Sequence, residues 1–134
     1  MQERIITFIT GKLAKKLDFD WETDLGFGEH KGNIVTFSKS EGNFFKDLKV
    51  NACSQSLLQK WIREVHNIHI EICVWVDNTW SAQLVYSKSA YDAADQVYDA
   101  MYMSSYEEAL EIGLQKALDT INEQKKSSSE SNSE

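Results

Sequence analysis

Asp18, Asp20, Glu22 and Asp24 alternate with Phe19, Trp21 and Thr23. Four carboxylates this close could hold a divalent cation or share general acid and base work. The calcium-loop pattern fails, because Gly26 and the next acid fall out of register. Acids at every second position also describe a solvated strand edge or loop. His66 and His69 are the next candidates, with Glu71, Glu64 or Cys53 as loose third ligands for a metal. A change from helix to strand between the two histidines leaves their relative direction open. In the plainer reading His66 ends a helix at its negative pole, and His69 is a strand side chain on a polar face.

Cys53 and Cys73 are the only cysteines, too few for a disulfide framework and without a compact zinc pattern. Cys73 lies in an apolar strand-like run, where a thiol behaves as a small hydrophobe. The glycines of GFGEHKG lack the strand–loop–helix context and the Gly-Lys-Ser/Thr ending of a phosphate loop. No catalytic, cofactor-binding or metal-binding residue is assigned, and no cofactor is expected. An enzyme, in the form of a small hydrolase using Asp18–Asp24 or the histidines, ranks last among the functional readings.

The elements that would position such groups must fit in 134 residues, a single-domain length. The net charge of −7, from 14 basic and 21 acidic residues, disfavours phosphate-rich partners. Lys12, Lys15 and Lys16 form the best-populated basic segment. No run approaches the ~18 apolar residues of a membrane span, and MQERIITFITGK lacks an export pattern, so the expectation is a cytoplasmic chain without membrane attachment. The last ten residues, KKSSSESNSE, contain nothing to bury. They divide the chain into a single α+β domain over 1–124 and a disordered polar tail over 125–134.

A first helix is expected from Thr7 or Thr10 to Leu17, with Ile9, Leu13 and Leu17 as its apolar stripe. Asp18 to Lys31 reads as irregular or weakly extended, its glycines allowing turns. Asn33 to Ser38 reads as a strand, and Phe44, Phe45 and Leu48 as a possible short one. Ser54 caps a helix bearing Leu57, Leu58, Trp61, Ile62 and Val65, closed by His66 and Asn67. The period then changes to two: Ile68, Ile70, Ile72, Val74 and Val76 alternate with His69, Glu71, Cys73 and Trp75. A turn at Asp77 to Thr79 leads into a returning strand through Trp80, Ala82, Leu84 and Tyr86. Ser87 to Ser104 fits either a short helix or an extended loop. Ser105 and Glu108 form a capping box for a final helix running to Ile121. Gly113 falls on its apolar face, where a missing side chain lets a neighbour approach. Together these elements predict an α+β fold, a small antiparallel sheet packed on one face by two to three helices.

Tyrosines at 86, 91, 98, 102 and 106 combine apolar area with a hydrogen-bonding tip, a composition found at contact surfaces. Trp75, Tyr91, Tyr98 and Tyr102 are therefore the candidate partner surface. Trp75 either stands exposed there or lies under the segment before Ser105. Trp61, one turn from Leu57, Leu58 and Val65, reads as core.

The stretches SQSLLQKWIREVHNIHIEI and SYEEALEIGLQKALDTI resemble small uncharacterised proteins of Bacteroidetes phages and prophages. The likeness covers Ser54 to Ile72 and Ser105 to Ile121, and the N-terminal third only loosely. It implies family membership and transfers no catalytic residue. The final helix is also similar to the EEAL helix of HicB-type antitoxins, whose preceding pattern this chain does not follow. The expected function is that of a non-catalytic accessory protein acting through protein–protein interaction with a host or phage protein. The alternative is a small nucleic-acid-associated regulator, placed second by the acidic charge, and a homodimer is compatible with either.

Overall fold

A computed structural model describes residues 4–40, 46–75, 77–86, 96–99 and 103–131. The described elements run α1 (Phe8–Lys16), β1 (Leu25–His30), β2 (Asn33–Ser38), β3 (Lys46–Ala52), α2 (Gln55–His66), β4 (His69–Val74), β5 (Trp80–Tyr86), β6 (Gln96–Asp99) and α3 (Tyr106–Ser131). The fold is α+β. Its strands form two antiparallel sheets, ordered β2-β1-β3 and β4-β5-β6, where the sequence predicted one. The chain passes through α2 between them.

Local chemistry explains most boundaries. Thr7 caps α1 and Ser54 caps α2, each side-chain oxygen accepting from the amide three residues on. Asn67 adopts the left-handed conformation at φ 57°, and its amide donates to the Arg63 carbonyl at 3.1 Å, which stops α2. Ile68 then enters the core, and β4 begins one residue later. At α3 the Glu108 amide donates to Ser105 Oγ at 3.1 Å, as the capping box requires. The Glu108 carboxylate instead accepts from the Ser104 hydroxyl at 2.8 Å. The helical backbone continues to Ser131, past the start assigned to the polar tail.

Two segments differ from expectation. The stretch 25–30, read as irregular or weakly extended, is a regular strand at the centre of the first sheet and pairs with both β2 and β3. Its glycines do not make turns: a Cβ on Gly28 would lie 2.9 Å from the Phe37 ring, and one on Gly26 3.5 Å from it. Phe37 lies across both, so the missing side chains make room for an aromatic ring from the neighbouring strand. Within 87–104, where helix and loop were the alternatives, residues 96–99 form β6, with Tyr98 opposite Leu84.

One core joins the layers, including Phe27 and Val50 from the first sheet, Ile70, Ala82 and Leu84 from the second, and Leu58, Trp61 and Ile62 from α2. Helix α3 contributes Leu110, Leu114, Ala117, Leu118 and Ile121 and contacts β4, β5, α1 and α2. Trp61 is core, with Phe19 edge-on at 5.1 Å. No helix among the described residues is long and apolar enough to cross a membrane.

Candidate functional site

The four acids between α1 and β1 are exposed, whereas Phe19 and Thr23 between them are buried. These acids thus lie on a solvated connection, with Asp18 left-handed at φ 64° in the turn that ends α1. Asp18 lies 3.8 Å from Lys125 of α3. Glu22 and Asp24 flank a small groove of about 230 Å³ whose lining includes Ile5, Cys53 and Ser54. Cys53 supplies no nucleophile there: burial, reinforced by the Glu111 charge, pushes its thiol up to about 12. A thiolate is the reactive form, so Cys53 should alkylate at neutral pH only when the fold opens. Mass-spectrometric mapping of iodoacetamide labelling with and without urea checks this, and equal labelling in both would contradict it.

The histidines do not converge on a shared site. His66, the last residue of α2, packs against Trp61 with ring centroids 4.8 Å apart. His69 is exposed on β4, and His30 is exposed at the end of β1. Among the described residues no group of three His, Cys, Asp or Glu side chains could hold a metal ion. Burial, with a smaller contribution from Lys125, holds His66 below its ordinary pKa of 6.5. The unfolded chain therefore protonates first as pH falls, so the His66 contribution is intact above pH 6.5 and shrinks below it. Urea midpoints measured across that range should fall less in His66→Gln than in the parent.

Among the described residues a densely bonded polar group is Glu111, a buried carboxylate in the second turn of α3. It points at the N-terminus of α1. Its Oε2 accepts from the Thr7 amide at 3.0 Å, from the Thr7 hydroxyl at 2.9 Å and from the Thr10 hydroxyl. Its Oε1 accepts from Gln55 Nε2 at 2.9 Å, and the same amide nitrogen donates to the Glu107 carbonyl. Gln115 Nε2 completes the cluster by donating to Thr10 Oγ1 at 3.1 Å. The carboxylate thus ties the starts of α1 and α2 to α3. Every partner is a donor held in place by the fold, which describes a structural joint.

Large apolar side chains exposed elsewhere include Ile9, Ile34, Val65, Val74, Trp75 and Tyr106. β4 is an edge strand paired only with β5 among the described elements. Gln59 Nε2 covers part of its outer edge by donating to the Ile70 carbonyl at 3.0 Å. Beyond that cover, Val74 is 57% and Trp75 46% exposed. Trp75 is nevertheless fixed: its indole nitrogen donates to Ser81 Oγ at 2.9 Å, and its amide donates to the Thr79 carbonyl at 2.8 Å. Asp77 Oδ1 accepts from the Thr79 hydroxyl at 2.6 Å and steadies the turn. Of the other proposed surface residues, Tyr98 lies on β6, two strands away, while Tyr91 and Tyr102 lie outside the described residues.

Comparisons with protein-family models, curated proteins and solved structures found no match. A functional reading must therefore start from these surfaces. The large exposed side chain that sequence reasoning singled out is Trp75, and it is held at a fixed orientation.

Proposed function

We propose that this chain is a non-catalytic accessory protein that binds another protein through the end of β4, with Trp75 as the anchor. The observation that carries the reading is a half-exposed tryptophan locked by a hydrogen bond to Ser81. A fixed aromatic loses little side-chain freedom on binding, and such residues dominate interface energetics. The carboxylates of Glu71 and Asp77 nearby on the chain are exposed, giving the patch a polar surround. The resemblance of Ser54–Ile72 and Ser105–Ile121 to phage and prophage proteins supports a host or phage protein as the partner.

Trp75→Ala should abolish or strongly weaken capture of that partner while leaving the unfolding transition nearly in place. The measurement is native mass spectrometry of parent and variant after exposure to host lysate. A discrete added protein mass on the parent and none on Trp75→Ala supports the reading. The same mass on both removes Trp75 from the interface.

A further inference from the structure

On the first sheet a different surface combines an apolar floor with a basic rim. α1 and β3 border an open groove of about 480 Å³ lined by Phe8, Lys12, Lys15, Lys16, Leu48 and Val50. Two backbone features build it. Gly11 lets α1 close onto β3, since a Cβ there would lie 2.9 Å from Val50 Cγ1 and 3.0 Å from Phe27 Cε2. In β3 the register breaks, with Phe27 opposite Val50 but Gly28 opposite Asp47, so that Leu48 and Lys49 form a bulge. Lys49 is left-handed at φ 60°, and its amide donates to Asp47 Oδ1 at 2.8 Å. The bulge holds Leu48 at the groove beside Val50.

The rim is cationic on a chain of net charge −7. The sequence is also asymmetric: residues 1–60 hold nine Lys and Arg against eight Asp and Glu, and residues 61–134 hold five against thirteen. Among the described residues no carboxylate pairs with Lys12, Lys15 or Lys16; the ion pairs Lys49–Asp47 and Lys125–Asp18 lie outside the groove. Lys12 Nζ sits 5.6 Å from the Phe8 ring centroid, directing its charge over the floor. The helix dipole favours Lys15 and Lys16 in the last turn of α1. It does not account for the apolar floor beside them.

We propose that this groove binds a medium-chain carboxylate, with its alkyl chain on Phe8, Leu48 and Val50 and its carboxylate on the lysines. The volume falls within the range of about 300–1,000 Å³ typical of small-molecule sites. The bulge interrupts the β3 ladder, so an added peptide strand finds no regular edge to pair with. An apolar floor gives a nucleic-acid backbone nothing to bind. An amphiphilic anion satisfies both floor and rim. This site is separate from the Trp75 surface, and the two proposals stand or fall independently.

The test is a ¹H–¹⁵N correlation titration of the full chain with decanoate below its micellar concentration. Acetate and decyltrimethylammonium serve as controls for charge alone and chain alone. Decanoate should shift the amides of Phe8, Lys12, Lys15, Leu48 and Val50 saturably, and both controls should bind about tenfold more weakly or less. The double variant Lys15→Glu/Lys16→Glu changes only exposed side chains and should keep its spectrum elsewhere. It should lose about tenfold in decanoate affinity, and added salt should weaken the parent complex. An absence of saturable shifts overturns the proposal, as does an equal response to decyltrimethylammonium. Shifts of the same amides by a single-stranded oligothymidylate, with none from decanoate, would overturn it in favour of a polyanion surface.

Discussion

Glu111→Ala should lower the unfolding free energy by about 3–5 kcal/mol, the cost of leaving buried partners of a charged group unpaired. The substitution removes the acceptor for the Thr7 amide, the Thr7 and Thr10 hydroxyls and Gln55 Nε2 together. Thr10 and Gln55 are themselves buried and gain no water easily, whereas exposed Thr7 recovers part of its loss from solvent. The Thr7 amide is also the first unpaired donor of α1, so the loss loosens that helix where it meets α3. Glu111→Gln should cost less, because its remaining oxygen still accepts from the threonines. Its new amide nitrogen would face Gln55 Nε2, donor against donor. The control is Glu108→Ala, whose exposed carboxylate accepts from Ser104 and whose loss should cost about 1 kcal/mol or less. Urea unfolding of the three variants decides the matter. Equal destabilisation by Glu108→Ala and Glu111→Ala would mean that the buried joint is not a joint.

The cluster shows where sequence reading stops. Thr7 and Glu111 are 104 residues apart, and nothing in either local context marks them as partners. Glu111 follows Glu107 and Glu108 one turn later near the start of the same helix, so in sequence it passes for one more acid of that early stretch. The elements with a clear period were legible for the opposite reason. From Ser54 to Tyr86 the apolar spacing changes from threes and fours to strict twos, and capping and turn residues fall at the joins. Those signals are local, and α2, β4 and β5 follow them. β1 was hidden because Gly26 and Gly28 carry turn signals, and only the Phe37 ring from the next strand explains them. The separation into two sheets was equally nonlocal, since it depends on which strand β1 and β5 choose as second neighbour.

The same contrast applies to the candidate surfaces. Trp75 was legible as a tryptophan on the polar side of an alternating strand. Its exposure and its hydrogen bond to Ser81 were not. The groove on α1 was harder still. Its lysines were visible as a short basic segment, but Leu48 reached them through a bulge whose only sequence trace is Asp47 two residues before Lys49. Side chains that look like chemistry in the sequence, Asp18 to Asp24 and the histidines, gather among the described residues into no group of three that could hold a metal ion.

Gly113 tests the packing of α3 most directly, because propensity and packing act there in opposite directions. On helix propensity alone, Gly113→Ala should stabilise the protein by about 1 kcal/mol. The added Cβ would lie 2.8 Å from Ile70 Cγ2 and 3.0 Å from Ala82 Cβ, so β4 and β5 must give way. Neither contact atom is the end of a flexible chain, and overpacking of this kind costs about 1–3 kcal/mol. The expected net result for Gly113→Ala is therefore destabilisation. Gly113→Val, which adds two further methyl groups against the same strands, should lose about 3 kcal/mol or more. The decisive measurement is a double-mutant cycle with Ile70→Ala, which removes the nearer contact atom and opens space at the same point. In that background Gly113→Ala should become neutral or stabilising as its helix propensity takes over. A Gly113→Ala variant more stable than the parent would show that α3 stands farther from the second sheet than the close approach at Gly113 requires. An unchanged penalty in the Ile70→Ala background would assign the strain to Ala82 instead.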